Sequence, residues 1–215
     1  MRMFELQAIE SSLRAFLSEF PRINDRLAIR REELTPPMVC NIVEAYRFLN
    51  TLLDKDMDLF TPAGLHALLE LNHIVLCGIE TDTRIQYYEH LQETRRTFIR
   101  QIRDIKDWVL RKRNESNPWR LATGFYSRAL SRPQLFLEGN HRTGNIILNY
   151  LLISKGAPPY IVSVDTAHTY LDISGDIKFT ENGNHLDTAL RMPGHRKRFQ
   201  TFLRDAVDSR FLCPC

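Results

Sequence analysis

The chain has 215 residues, of which 43% are hydrophobic and 26% charged, with a formal net charge of +3. This is the profile of an ordinary soluble globular protein, long enough for one domain with a sizeable core. The small net charge does not direct it to nucleic acid or membrane. No apolar run is long enough to span a bilayer, and Met1-Arg2-Met3-Phe4-Glu5 lacks the apolar core of a secretion signal, so a cytoplasmic location is expected.

Taken in order, the chain reads as mostly helical. Phe4, Ile9, Leu13, Phe16, Leu17 and Phe20 recur at helical spacing, and Pro21 is expected to end that helix. Thr35-Pro36 and Thr61-Pro62 each supply a capping threonine and a first-turn proline. The helices they open are expected to run past Leu53 and up to Gly78. Ile79, Thr81, Thr83, Ile85 and Tyr87 then alternate with other residues, which is strand periodicity. A short β-hairpin or extended segment is expected over Ile79–Tyr88.

A charged helix is expected from His90 to Lys112, with Ile99, Ile102, Ile105, Trp108 and Val109 inward, and another from Pro118 to Ser131. From Thr143 to Lys155 apolar residues cover nearly the whole circumference, the mark of a central helix surrounded by others. Gly156 is its expected C-cap, and Pro158-Pro159 prevents continuation. Turns are expected at Ser174-Gly175-Asp176 and at 181–184, and a last helix from Gly194 to Arg210. Its basic run His195-Arg196-Lys197-Arg198 reads as a solvated face, so nucleic acid is not expected as a partner. Cys40 and Cys77 sit in apolar surroundings and are expected to be buried thiols. Cys213-Pro214-Cys215 reads as a frayed tail, because two ligands are too few for a structural zinc site.

The chemistry concentrates at Gln134-Leu135-Phe136-Leu137-Glu138-Gly139-Asn140-His141-Arg142-Thr143-Gly144-Asn145, in front of the central helix. A helix N-terminus offers unpaired N–H groups and partial positive charge. Gly139 lets an anion approach the backbone, and Arg142 adds a two-pronged phosphate donor. Glu138 is a carboxylate placed to share Mg²⁺ with phosphate oxygens. The same letters also suit a plain helix cap, with Asn140 bonding backbone and Arg142 pairing a carboxylate.

This stretch resembles the motif of the Fic/Doc family, His-Pro-Phe-x-Asp/Glu-Gly-Asn-Gly-Arg-Thr-x-Arg. Phe136, Glu138, Gly139, Asn140, Arg142 and Thr143 match, Gly144 agrees with a frequent residue, and the resemblance covers roughly 60 to 165. It implies an all-α, Fic-like helical bundle around a central buried helix, with an extended flap for target docking at Ile79–Tyr88. The expected organisation is N-terminal helices over 1–58 packed on a Fic-like core of 59–215 that carries a C-terminal helical extension, the two forming one compact unit. The implied cofactors are ATP and Mg²⁺, with Glu138 as metal ligand. Gly139, Asn140, His141, Arg142, Thr143 and Asn145 would form the nucleotide site. The implied activity is AMP transfer from ATP to a protein hydroxyl.

Three positions depart from the pattern. Gln134 stands where the family has its catalytic histidine, and an amide cannot take the proton. Asn145 stands where an arginine commonly reaches the γ-phosphate. His141 replaces a glycine; it is the weak alternative base, as is His168 from a later segment. The family's inhibitory motif, Ser/Thr-x-x-x-Glu-Gly/Asn, is absent. The expectation is a nucleotide site with reduced or altered transfer, beside the alternative of an inactive nucleotide-binding or protein-interaction module. A homo-oligomer is compatible with either.

Overall fold

The two Thr-Pro pairs act as expected. The Thr35 hydroxyl accepts from the Met38 N–H at 3.4 Å and opens α2 (Pro36–Asp54). The Thr61 hydroxyl accepts from the Gly64 N–H at 3.1 Å and opens α3 (Pro62–Cys77), which stops at Gly78. The computed structural model describes residues 2–180 and 189–214, and the expected turn at 181–184 lies outside them. The remaining helices are α1 (Leu6–Asn24), α4 (Thr81–Gln86), α5 (Tyr88–Arg111), α6 (Pro118–Leu130), α7 (Asn140–Ile153), α8 (Val164–Lys178) and α9 (Met192–Ala206).

The centre of the bundle is α7, which packs against α2, α3 and α6. Every residue of α7 except His141 and Arg142 is buried. Ile146, Ile147, Leu148 and Leu152 are fully enclosed. Each such side chain contributes roughly 1.5–3 kcal/mol relative to exposure. One polar residue sits among them. The Asn149 amide donates to the Tyr160 carbonyl at 2.8 Å and to the Tyr46 hydroxyl at 2.6 Å, and accepts from the Tyr160 N–H at 2.7 Å. It thereby satisfies the buried backbone of the segment that leaves α7 past Pro158-Pro159. Gly156, at φ 75°, makes that exit in the left-handed region.

The extended flap is overturned. Among the described residues there is no β-strand, and Ile79–Tyr88 contains the short helix α4. An alternating pattern makes a strand only when a partner pairs its backbone and a core takes one face. Here Ile79, Ile85 and Tyr87 are all exposed, so the alternation buries nothing. Local bonds win instead: the Arg84 N–H donates to the Glu80 carbonyl and the Tyr87 N–H to the Thr83 carbonyl, both at 3.0 Å. The Arg84 guanidinium ties the turn to the end of α3, reaching the Gly78 carbonyl at 2.9 Å and Glu70 at 2.7 Å.

Smaller corrections have equally local causes. Helix α1 passes through Pro21 to Asn24, because Phe20 and Ile23 are buried and hold the last turn on the core. The inner stripe of α5 is Phe98, Ile102, Ile105 and Val109, at strict i, i+4, i+7, i+11 spacing, which leaves Ile99 exposed. Ser174-Gly175-Asp176 lies inside α8 rather than in a turn. Cys40 is exposed on α2, whereas Cys77 is buried. Cys213 is not frayed: its N–H donates to the Met3 carbonyl at 2.9 Å, beside an isolated antiparallel bridge between Phe4 and Leu212. Among the described residues no helix is long and apolar enough to cross a membrane.

Candidate functional site

The loop between α6 and α7 is built from its apolar residues outward. Leu135 and Phe136 are buried, and the Phe136 ring stacks on Phe98 of α5 with centroids 5.4 Å apart. The Asn140 amide clips the loop by accepting from the Phe136 N–H at 2.9 Å and donating to the Phe136 carbonyl at 2.8 Å. Asn140 therefore serves the loop through its side chain and offers a ligand only its backbone. Replacing it by alanine orphans both Phe136 groups. The expected loss is roughly 1–3 kcal/mol of stability, measured by denaturant titration.

Gly139 turns the chain into α7 at φ 72°, ψ 10°. A Cβ there would also come 3.0 Å from the Asn72 amide nitrogen and 3.3 Å from the Leu76 side chain. Glycine is thus required by conformation and by close packing on α3. Asn72 donates to the Glu138 carbonyl and to the Thr143 hydroxyl, both at 3.0 Å, and fixes the loop from the other side. No side chain caps α7, so its first N–H groups are left for another acceptor.

The charged residues surround this helix end. Glu138 is exposed, and its carboxylate lies 3.7 Å from His90 Nε2 at the start of α5. His90 was not legible from the sequence: it is 48 positions away on a highly charged helix, with no spacing to connect it. Arg142 is half-buried and donates to the Val75 carbonyl at 3.4 Å. Burial lowers its pKa, while Glu32 and Glu138 act in the opposite sense. Among the described residues no carboxylate comes within ion-pair distance of Arg142.

Other candidate residues turn elsewhere. The Gln134 amide donates to the Leu130 carbonyl at 3.1 Å, closing the end of α6. The His141 ring faces inward, with Nδ1 3.4 Å from the Tyr126 hydroxyl. Burial, then Arg31, Lys178 and Arg142, push its pKa down to about 3. At neutral pH the ring is uncharged and a feeble proton acceptor. Asn145 is buried under α2, its carbonyl oxygen accepting from Tyr46 and Asn149, both at 3.3 Å. Thr143 is fully buried, with Asn72 as its partner. His168 is exposed on α8, 3.3 Å from the Arg26 carbonyl and 3.4 Å from Asp172.

A phosphate would find more donors among these residues than a metal ion would find ligands. Among the described residues no three His, Cys, Asp or Glu side chains gather to hold an ion. Glu138 would be one oxygen ligand of an Mg²⁺ whose remaining ligands come from phosphates and water.

Two curated proteins resemble the chain. It is 30% identical over 139 residues to the "Protein adenylyltransferase fic-1" of Caenorhabditis elegans, a match covering 59% of this chain and 26% of that protein. It is 24% identical over 158 residues to the "Protein adenylyltransferase Fic" of Nematostella vectensis, covering 69% of this chain and 34% of that protein. The chain thus spans between a quarter and about a third of the length of these relatives. No protein-family profile matches it, and no solved structure does. The all-α bundle and these partial matches make the chain distantly similar to Fic adenylyltransferases.

Proposed function

We propose that this chain is a nucleotide-binding module on a Fic-like helical fold, and that it transfers AMP to protein hydroxyls slowly. The observation that carries the binding half is the start of α7. Gly139 in the left-handed conformation leads into a helix end with no side-chain cap, beside an arginine with no carboxylate within ion-pair distance. A phosphate satisfies all three features at once. Glu138 is the residue that would share Mg²⁺ with it.

The slow-transfer half rests on the proton. Neither Gln134, bonded to Leu130, nor His141, with its low pKa, can take a proton from an attacking hydroxyl near neutral pH. The distant similarity to two adenylyltransferases supports AMP as the group moved.

The test is calorimetry with Mg-ATP. Arg142→Ala should weaken binding about 10- to 100-fold, the worth of a hydrogen bond between a guanidinium and a phosphate. Wild type that binds no Mg-ATP, with Arg142→Ala indistinguishable from it, sinks the reading in favour of a scaffold that kept only the fold.

A second reading, a protein-interaction module, draws on one observation. Ile79, Ile85, Tyr87 and Tyr88 are exposed together on and beside α4. We place the docking of a protein partner on this exposed segment, with apolar anchors rather than strand pairing.

A further inference from the structure

Three arginines gather where α6 is flanked by α5 and α9. Tyr126 of α6 turns towards His141 of α7. Arg128, two positions on, is turned about 200° around the helix axis. It lies over the Trp108 ring of α5, 4.0 Å from the centroid. Arg196 reaches α6 from α9, and its Nε–H donates to the Ser127 hydroxyl at 2.7 Å. Arg111 stands one turn beyond Trp108 on α5 and is exposed. The expected solvated face of His195-Arg196-Lys197-Arg198 is therefore interrupted: Arg196 is half-buried, while Lys197 and Arg198 are exposed.

The backbone is shaped to hold this gathering. A Cβ at Gly124 would collide with the Trp108 ring, so only glycine lets the indole lie against α6. Glycine inside a helix is unfavourable, and here it admits the platform on which the Arg128 guanidinium rests. One nitrogen of that guanidinium donates to the Gly124 carbonyl at 2.9 Å. Arg128 and Arg196 are thus each aimed by one bond. Both are half-buried, and neither has a nitrogen that is both enclosed and unbonded. Their remaining N–H groups are open to a ligand.

The charge is left uncompensated. Arg14, Arg22, Arg47 and Arg198 each meet a carboxylate on a helix surface. Among the described residues no carboxylate lies within ion-pair distance of Arg111, Arg128 or Arg196. Burial, then Arg196 and Arg111, push the Arg128 pKa down to about 10. Three cations therefore repel one another at a place where an anion would turn repulsion into attraction.

We propose that the junction of α5, α6 and α9 binds a phosphate dianion, free or carried on a side chain, between the Arg128 and Arg196 guanidinia with Arg111 at the rim. A carboxylate has one charge and one planar edge. A phosphate has nearly two charges and oxygens pointing several ways, which suits guanidinia arriving from different helices. The inference does not rest on the nucleotide reading, because none of these residues belongs to the 134–145 loop.

The test reads Trp108, which Arg128 covers. A Trp119→Phe chain leaves Trp108 as its sole tryptophan. Titration with inorganic phosphate, and separately with capped phosphoserine, should change its fluorescence saturably at constant ionic strength. Acetate should bind at least about tenfold more weakly. In the same background, Arg196→Gln puts an amide nitrogen at the place of Nε, so a donor to Ser127 remains while the charge goes. Arg128→Met keeps an apolar stem against the indole. Each should weaken phosphate about tenfold or more while the melt stays cooperative. Without phosphate, Arg196→Gln should melt no lower than its parent, because a repulsion has been removed. Tighter binding of phosphoserine assigns the site to a phosphorylated protein, and tighter binding of inorganic phosphate to the free anion. No saturable change with either probe overturns the inference. So does equal affinity for acetate, or unchanged phosphate binding in both folded variants. Loss of the Trp108 response in Arg142→Ala would also overturn it, by moving the anion to the start of α7. Failure of the chain to bind Mg-ATP bears on the nucleotide reading alone and leaves this result standing.

Discussion

Gln134→His should raise AMP transfer by about 10²–10⁴-fold, the usual worth of a positioned general base. The position is prepared for it. The Gln134 amide nitrogen already donates to the Leu130 carbonyl at 3.1 Å from a half-buried site. An imidazole of similar reach can give its Nδ1–H to that carbonyl, which leaves Nε2 as the proton acceptor and sets the tautomer a base requires. Labelled ATP incubated with the chain and candidate proteins, self-labelling included, reads the outcome. A variant that binds Mg-ATP but stays inert towards a validated target would show that the base is not the only missing part. Asn145 would then be the next suspect, since its amide lies under Tyr46 and carries no charge for the far end of a nucleotide.

The second large effect is on stability. Asn149→Leu should cost about 3–5 kcal/mol, because it strands several buried groups at roughly 1–3 kcal/mol each. The Tyr160 N–H and carbonyl lose their partner together, and the Tyr46 hydroxyl loses a donor. Leucine has the same branched shape but is larger, so no cavity forms and some overpacking adds to the loss of the hydrogen bonds. Domains are stable by only about 5–15 kcal/mol, so the variant should melt far below wild type or fail to accumulate. A urea midpoint within error of wild type would mean that the exit from α7 is held by packing alone.

Much of the helical framework was legible because its signals are local. Thr35-Pro36, Thr61-Pro62, Gly156 and the continuous apolar surface of α7 each specify a backbone state within a few residues. The failures at Ile79–Tyr88 and Cys40 share a cause: alternation or apolar neighbours imply burial only if another element arrives to cover them. In the candidate site, the left-handed turn at Gly139 could be anticipated from glycine before a helix. The inward turn of His141 could not, since Tyr126, Tyr170, Arg31 and Lys178 reach it from α6, α8 and the segment before α2. The pocket between α1, α2, α7 and α8 that His141, Arg142 and Asn145 line was invisible for the same reason. Its lining runs from Leu13 to Lys178, and no window of sequence contains both of its ends.

The bridge between Phe4 and Leu212 imposes an order on synthesis. The Glu5 N–H donates to the Phe211 carbonyl at 2.9 Å, and the Asn50 amide grips both the N–H and the carbonyl of Phe4. A ribosome adding about 5–20 residues per second makes position 4 roughly 10–40 s before position 212. Through that interval the Phe4 strand edge has Asn50 as a partner but not its own mate, and α1 lacks α8 to lie against. Helix α1, made before the other described helices, is therefore among the last to be secured, and a nascent chain stalled before residue 211 should leave the segment around Phe4 open to a chaperone or protease.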